Sequence, residues 1–379
     1  MRILFVSDDP DDPTVGAAKA PRQLAAALER LGHACEFLHS AELGAWPRSE
    51  RMRFAASPWL AARAVRGAWR KHGPFDVIDV AAGEAWRIPK CPGTGVVARS
   101  HGLEHFYYHA LLDDHRAGML RKPWWRRLWY PATRLSQVAL GYRRADAAIV
   151  LNRRERDFVL RRGWKGSGQV RVIPHGIEAG RWQSAPPPMA TRGRGVLFSG
   201  AWYTGKGVHY LAEAHRLLVQ RGLAVPLTVL GPGVGGDFAA IEACVRASFA
   251  AASQPLLTVL PRTRDEDEIH RHYREHDLLV CPSTCEGFGM VVFEALSQRL
   301  PVICSQTVGA AEWLRHDASA VLVPARQAVA LADAIAALWS DSPRRAALAE
   351  AAHAAVRDYT WEGAALETLA VYALAREGK

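Results

Sequence analysis

Short apolar runs alternate with longer amphipathic stretches along almost the whole chain. Arg2–Ser7, Ala34–Leu38, Phe75–Val80, Val96–Ser100, Ala147–Leu151 and Gln169–Ile173 are strand-sized and bounded by turn residues such as Gly, Pro and Asp. Ala18–Leu31, in contrast, places its apolar residues at helical spacing. Runs of this length between helices predict βαβ units and parallel sheets. The rhythm breaks at Ala185–Gly195, where three consecutive prolines fit neither a helix nor a central strand. It then restarts with strand Val196–Ser199, helix Gly207–Arg221, and strands Leu227–Leu230, Leu256–Leu260, Asp277–Cys281, Val302–Cys304 and Ala320–Val323. The tail Tyr359–Arg376 reads as a last helix.

The pattern predicts an α/β protein with two doubly wound, Rossmann-like domains facing a central cleft. Residues 1–180 form the first, 181–195 a linker, 196–358 the second, and 359–379 a closing helix. Ligand loops belong at the C-terminal ends of parallel strands. Composition agrees with two packed cores, since 49% of the 379 residues are apolar and 13 are Trp. No apolar run approaches the roughly 18 residues of a membrane span. Ser7 and Asp8 end the first run too early for a signal peptide. The six cysteines make no ladder of paired spacings, so no metal is expected, and a reducing, cytoplasmic setting fits.

Charge changes the picture locally. The net +10 is concentrated in residues 121–171, where 14 basic residues meet 3 acidic ones, and the flanks nearly balance. Within it, Arg121, Lys122, Arg126 and Arg127 interleave with Trp124, Trp125 and Trp129. One reading is an amphipathic helix that packs its Trp on the core. The other is an anionic partner, a membrane surface or anionic acceptor, with Trp at the interface and Arg at headgroups. Nucleic acid is not expected, because no RNA-binding signature accompanies the charge.

The densest chemistry lies in Pro282–Ser305, PSTCEGFGMVVFEALSQRLPVICS. A strand ends, Glu286-Gly287-Phe288-Gly289 follows, and a helix carrying Glu294 begins. Backbone N–H groups at a helix N-terminus make an anion cradle. Two acceptor-only carboxylates eight residues apart suit the hydroxyls of a sugar or ribose. A plain strand-turn-helix with a capping Glu has the same spacing.

This block resembles the Glu-x7-Glu signature of retaining GT-B glycosyltransferases of family 4, and other pieces agree in order. Ser199–Gly207 (SGAWYTGKG) is similar to the family's donor-phosphate loop, with Gly200, Lys206 and Gly207 in place. Val172–Glu178 resembles the close of the first domain, His101 after strand Val96–Ser100 the active-site histidine, and Tyr359-Thr360-Trp361 the start of the last helix. The resemblance implies transfer of a sugar from a nucleoside-diphosphate donor to a glycan or lipid-linked acceptor. A cell-surface polysaccharide or glycolipid product is implied, made at the inner face of the membrane. It also implies roles: Glu294 on the ribose, Glu286 on the transferred sugar with the amides of Gly287, Phe288 and Gly289, Lys206 on the diphosphate, and His101 near the sugar. No cofactor is implied. Another GT-B chemistry, such as nucleotide-sugar epimerisation, and a basic nucleic-acid-binding protein are the alternatives.

Several positions depart from the family. Ala201 stands where an Arg usually follows the phosphate-loop glycine, and Arg262, at the end of strand Leu256–Leu260, is the expected replacement cation. Arg299 replaces a glycine and reads as a helix-surface change. The first glycine loop is thin: Gly16 and Lys19 are candidate acceptor contacts beside Asp8, Asp9, Asp11 and Asp12. Gly231–Gly236 fits G-x-G-x-x-G, but the next strand ends in Pro261-Arg262 rather than an acidic residue. His101-Gly-Leu-Glu104-His105 fits a zinc-hydrolase pattern, yet Gly102 disfavours the shared helix face that chemistry needs.

Overall fold

A computed structural model of the chain describes residues 1–8, 16–120, 125–182, 193–233 and 236–377. These divide into two compact units: residues 1–106, 121–176 and 361–379, and residues 107–120 with 177–360.

The first unit is built on β1 (Arg2–Val6), β2 (Ala34–Leu38), β3 (Val77–Ala81), β4 (Gly95–Arg99), β5 (Ala147–Val150) and β6 (Val170–Val172). They form one parallel sheet in the order β2-β1-β3-β4-β5-β6. The strands β3, β4 and β5 are buried at every position. A parallel sheet covered on both faces has no solvent side, which is why these strands read as continuous apolar runs. The closing helix Trp361–Glu377 belongs to this unit. Its Tyr372 hydroxyl donates to Asp79 Oδ2 at 2.6 Å, and Arg99 grips the same carboxylate at 2.6 to 3.0 Å. All three are buried, so the charge pair is fully hydrogen-bonded inside the sheet.

The second unit holds β7 (Val196–Ser199), β8 (Leu227–Leu230), β9 (Leu257–Leu260), β10 (Leu278–Cys281), β11 (Val302–Ser305) and β12 (Val321–Val323), parallel in the order β12-β11-β10-β7-β8-β9. The order reverses between β7 and β10. Doubly wound sheets open a crevice at such a switch point, outside the strand C-termini.

The unit boundaries depart from the sequence expectation at residues 107–120, 177–180 and 359–360, all of which group with the second unit. Residues 107–120 group with the second unit because Tyr107 and Asp114 bond to partners there: Tyr107 to the Gly287 amide, and Asp114 to the Arg326 guanidinium at 2.9 Å. Residues 177–180 also join it, Ile177 N–H donating to Tyr359 C=O at 3.0 Å. Most of the proline linker, residues 183–192, lies outside the described residues.

Candidate active site

The switch point of the second sheet gathers the sequence-predicted donor residues. After β7, Thr204–Lys206 makes a short turn and Gly207 starts the helix Val208–Gln220. After β10, Gly289 starts the helix Met290–Ser297. Both glycines have left-handed backbones, φ 73° and 87°. A Cβ on Gly207 would lie 2.0 Å from the Pro282 carbonyl oxygen, and one on Gly289 2.7 Å from Val308 Cγ1. Only glycine fits either position. The two strands are neighbours, so two helix N-termini open on one edge, where their dipoles favour an anion. The Thr284 amide donates to the Gly205 carbonyl at 2.9 Å and ties the two loops together.

Lys206 and Glu286 meet at this point. The Lys206 ammonium lies 2.5 Å from Glu286 Oε1, and the Ser283 hydroxyl donates to Oε2 at 2.7 Å. Burial works against the ammonium, but the Glu286 carboxylate outweighs it and raises the Lys206 pKa. The cation therefore persists at any physiological pH. One Lys206 N–H serves Glu286, and its ammonium has two more to offer. The Gly287 amide donates to the Tyr107 hydroxyl at 2.9 Å. Burial, then the nearby Glu286, pushes that phenol well above its ordinary pKa, so it stays protonated. Glu294, in the second turn of its helix, accepts from the Tyr273 hydroxyl at 3.0 Å, and burial followed by the Glu294 charge keeps Tyr273 protonated.

Gly200 closes β7, its amide donating to the Leu230 carbonyl at 3.0 Å. Arg262 follows β9 and packs against Gly231 after β8, with its Cβ 3.7 Å from where a Gly231 Cβ would stand. The strand ends thus run β10, β7, β8, β9, with Glu286, Lys206, Gly231 and Arg262 in that order. Val234 and Gly235 of the glycine repeat lie outside the described residues.

His101 belongs to the first unit, on the bend after β4, and lines two adjoining cavities there with Arg99 and Pro21. Its loop is held from below by buried Glu155, which accepts from the Leu103 amide at 3.0 Å and the Leu151 amide at 3.2 Å. His105 is one residue inside the helix Glu104–Arg116 and packs on Phe158 and Trp164. The two histidines therefore share no helical face. Among the described residues, no group of three or more His, Cys, Asp or Glu could hold a metal ion.

Two sequence readings change. Arg299 is not on a helix surface: it follows the helix Met290–Ser297 with a left-handed φ of 56° and an ion pair to Glu350. A left-handed residue after a helix is where glycine is favoured, which accounts for the family's glycine there. Secondly, part of the charge excess is internal. Arg134 is buried among Glu84 at 2.5 Å, Glu104 at 2.9 Å and Asp8 at 3.9 Å. Of the acceptor-side candidates, Arg126 is engaged at 2.8 Å with Glu50, while Arg127 is exposed and Trp129 half-buried. Arg121, Lys122 and Trp124 lie outside the described residues, as do Asp9, Asp11, Asp12 and the side chain of Trp125. Gly16 opens the helix Gly16–Arg30, with Lys19 half-buried in its first turn.

Sequence reasoning missed Ser283, Tyr107 and Tyr273. Ser283 stands three residues before Glu286, a spacing that could have flagged it. The two tyrosines carry no local signal, being 180 and 21 residues from the groups they bond.

The geometry agrees with the sequence families. Residues 142–367 match the model described as family 4 glycosyltransferase in conflict systems, and residues 15–181 match that of glycosyltransferase family 4. The chain belongs to glycosyltransferase family 4. A D-inositol 3-phosphate glycosyltransferase of Xylanimonas cellulosilytica is 30% identical over 244 residues, 61% of this chain and 57% of that protein. The match thus spans little more than half of that relative. Sucrose-phosphate synthase from Thermosynechococcus elongatus superposes with a TM-score of 0.79 at 21% identity, covering both chains completely. HepE from Anabaena, solved in complex with UDP-glucose, does so at 0.66 and 18% identity, over 98% of this chain and 99% of its own. At such identities the likeness concerns the fold, which is GT-B. No helix among the described residues is long and apolar enough to cross a membrane.

Proposed function

We propose that this family 4 protein transfers a sugar from a nucleoside-diphosphate donor, with retention at the anomeric carbon, to a glycan or lipid-linked acceptor. Polysaccharide or glycolipid synthesis at the cytoplasmic face of a membrane is the corresponding setting. The contact of Lys206 with Glu286 at the switch point, two helix N-termini around it, carries this reading. Glu294 is assigned the ribose hydroxyls and Glu286 the sugar hydroxyls, with the amides of Gly287 to Gly289 beside it. Lys206 is assigned one phosphate and Arg262 the other. His101 takes the place of the family's active-site histidine.

Charge develops on the diphosphate as the bond from its oxygen to the anomeric carbon breaks. A fixed ammonium and oriented N–H dipoles stabilise that charge without reorganising. The acceptor oxygen bonds to the same face of the carbon, and its proton passes to the leaving phosphate oxygen. No nucleophile from the protein and no resident metal enters this scheme. UDP-glucose is the first donor to test, because HepE was solved with it.

The experiment is a panel of nucleotide sugars, read by thermal shift and by release of nucleoside diphosphate. A donor held at about a hundred times its Kd should stabilise the protein by ~2.7 kcal/mol and raise its melting temperature. A protein that neither binds nor slowly hydrolyses any of them is not a nucleotide-sugar enzyme.

A further inference from the structure

The helix Glu50–His72 carries six basic residues, Arg51, Arg53, Arg63, Arg66, Arg70 and Lys71, and one acidic residue, Glu50. Averaging over residues 1–120, where basic and acidic side chains nearly balance, hides this concentration. Glu50 itself is taken by Arg126. Ser57, Pro58, Ala61, Ala62 and Val65 are buried and form the inner face. At about 100° per residue, Met52, Trp59, Arg63, Arg66 and Arg70 fall within an arc of roughly 60° on the opposite face. All five are exposed, Met52 and Trp59 at 55% each. Among the described residues no ion pair involves Arg63, Arg66 or Arg70. The Arg87 guanidinium lies over the Trp59 ring at 3.6 Å, which adds a fourth cation to the stripe.

We infer that this stripe docks the protein on an anionic lipid surface. It runs about 27 Å, with its large apolar side chains at one end and its arginines at the other. An anionic bilayer accepts both: Trp and Met at the boundary between headgroups and acyl chains, Arg at the phosphates. A polyanion in water would satisfy the arginines and leave Met52 exposed. One face of Trp59 is covered by Arg87, which reduces its use as a base-stacking platform. The inference extends the proposed function, since a lipid-linked acceptor is presented at such a surface, and it gives that function a location on the protein other than residues 121–130.

The test is sedimentation of the full chain with vesicles of phosphatidylcholine alone or with about a third phosphatidylglycerol. The wild type should bind only the anionic vesicles, less tightly as salt rises. R63E/R66E/R70E should lose roughly a hundredfold in partitioning, and M52A/W59A should bind less tightly at the same charge. Both variants should keep the wild-type melting temperature and the rate of donor hydrolysis in solution. Equal vesicle binding by wild type and the arginine variant would overturn the inference. So would tight binding of short duplex DNA that needs the three arginines and is indifferent to M52A/W59A. Donor hydrolysis missing from a protein that still binds vesicles would count against the enzymatic reading alone.

Discussion

The Tyr107 hydroxyl accepts a 2.9 Å hydrogen bond from the Gly287 amide, in the loop that separates Glu286 from its helix. The amide is buried, so this bond satisfies a group that would otherwise cost about 1–3 kcal/mol. In the proposed reaction an oxygen of the bound donor takes the same amide, and Tyr107 must yield it.

Replacing Tyr107 by Phe removes the acceptor only from the ligand-free state. Y107F should melt lower than wild type without ligand and show the larger thermal shift with donor, its affinity rising severalfold. Weaker donor binding by a variant of unchanged melting temperature would instead make the Tyr107 hydroxyl a donor contact.

Glu286 and Lys206 invite a double-mutant cycle. Their side chains are 14% and 20% exposed, so removing one strands the other in a partly dry site. E286A and K206M should each destabilise the fold, by at most the 3–5 kcal/mol typical of a broken buried pair. The double variant should recover part of that loss and none of the turnover. Additive destabilisation across the cycle would mean that the ion pair contributes nothing beyond its separate residues.

The strands of both sheets were legible because buried parallel strands are written as unbroken apolar runs, and the Glu286 block because its glycines and carboxylates are close in sequence. The site partners were not, for a physical reason. Tyr107 and the rest of residues 107–116 of its helix belong to the same unit as Gly287 although 180 residues separate the pair, and packing of that kind leaves no periodicity in the chain. Arg299 shows a second limit. Its left-handed backbone is a property of the turn, and an Arg there reads like any surface cation. Arg134 shows a third: counting charge by segment cannot tell a solvated guanidinium from one enclosed by three carboxylates.

Arg262 has a simple test. As the second phosphate cation, its replacement by Ala should cost about tenfold in donor affinity, typical of one charge-assisted hydrogen bond. Affinity for the free nucleoside diphosphate should fall in parallel and that for the nucleoside should not. Unchanged diphosphate affinity would leave the place of the missing family Arg unfilled.

Glu155 and His175 give the first unit opposed pH dependences. Burial pushes the Glu155 carboxyl up from 4.5 to about 7, while burial, with His101 and Arg99 nearby, pushes His175 down from 6.5 to about 3. Between about pH 4.5 and 7 the unfolded chain has released the Glu155 proton and the folded chain keeps it. Stability from this group therefore falls as pH rises through that window, by up to about 3 kcal/mol. Between about pH 3 and 6.5 the unfolded chain binds a proton on His175 that the folded chain refuses, so stability from this group rises with pH. The two largely cancel where the windows overlap, from about 4.5 to 6.5. E155Q removes one side of the balance. Its melting temperature should climb with pH across the overlap more steeply than that of wild type, and its decline toward neutrality should be shallower, the rest of that decline belonging to buried Glu84, whose carboxyl burial also raises to about 7. Thermal melts from pH 4 to 8 read both effects, and an E155Q curve parallel to wild type throughout would mean that Glu155 is already ionised beneath the His101 loop.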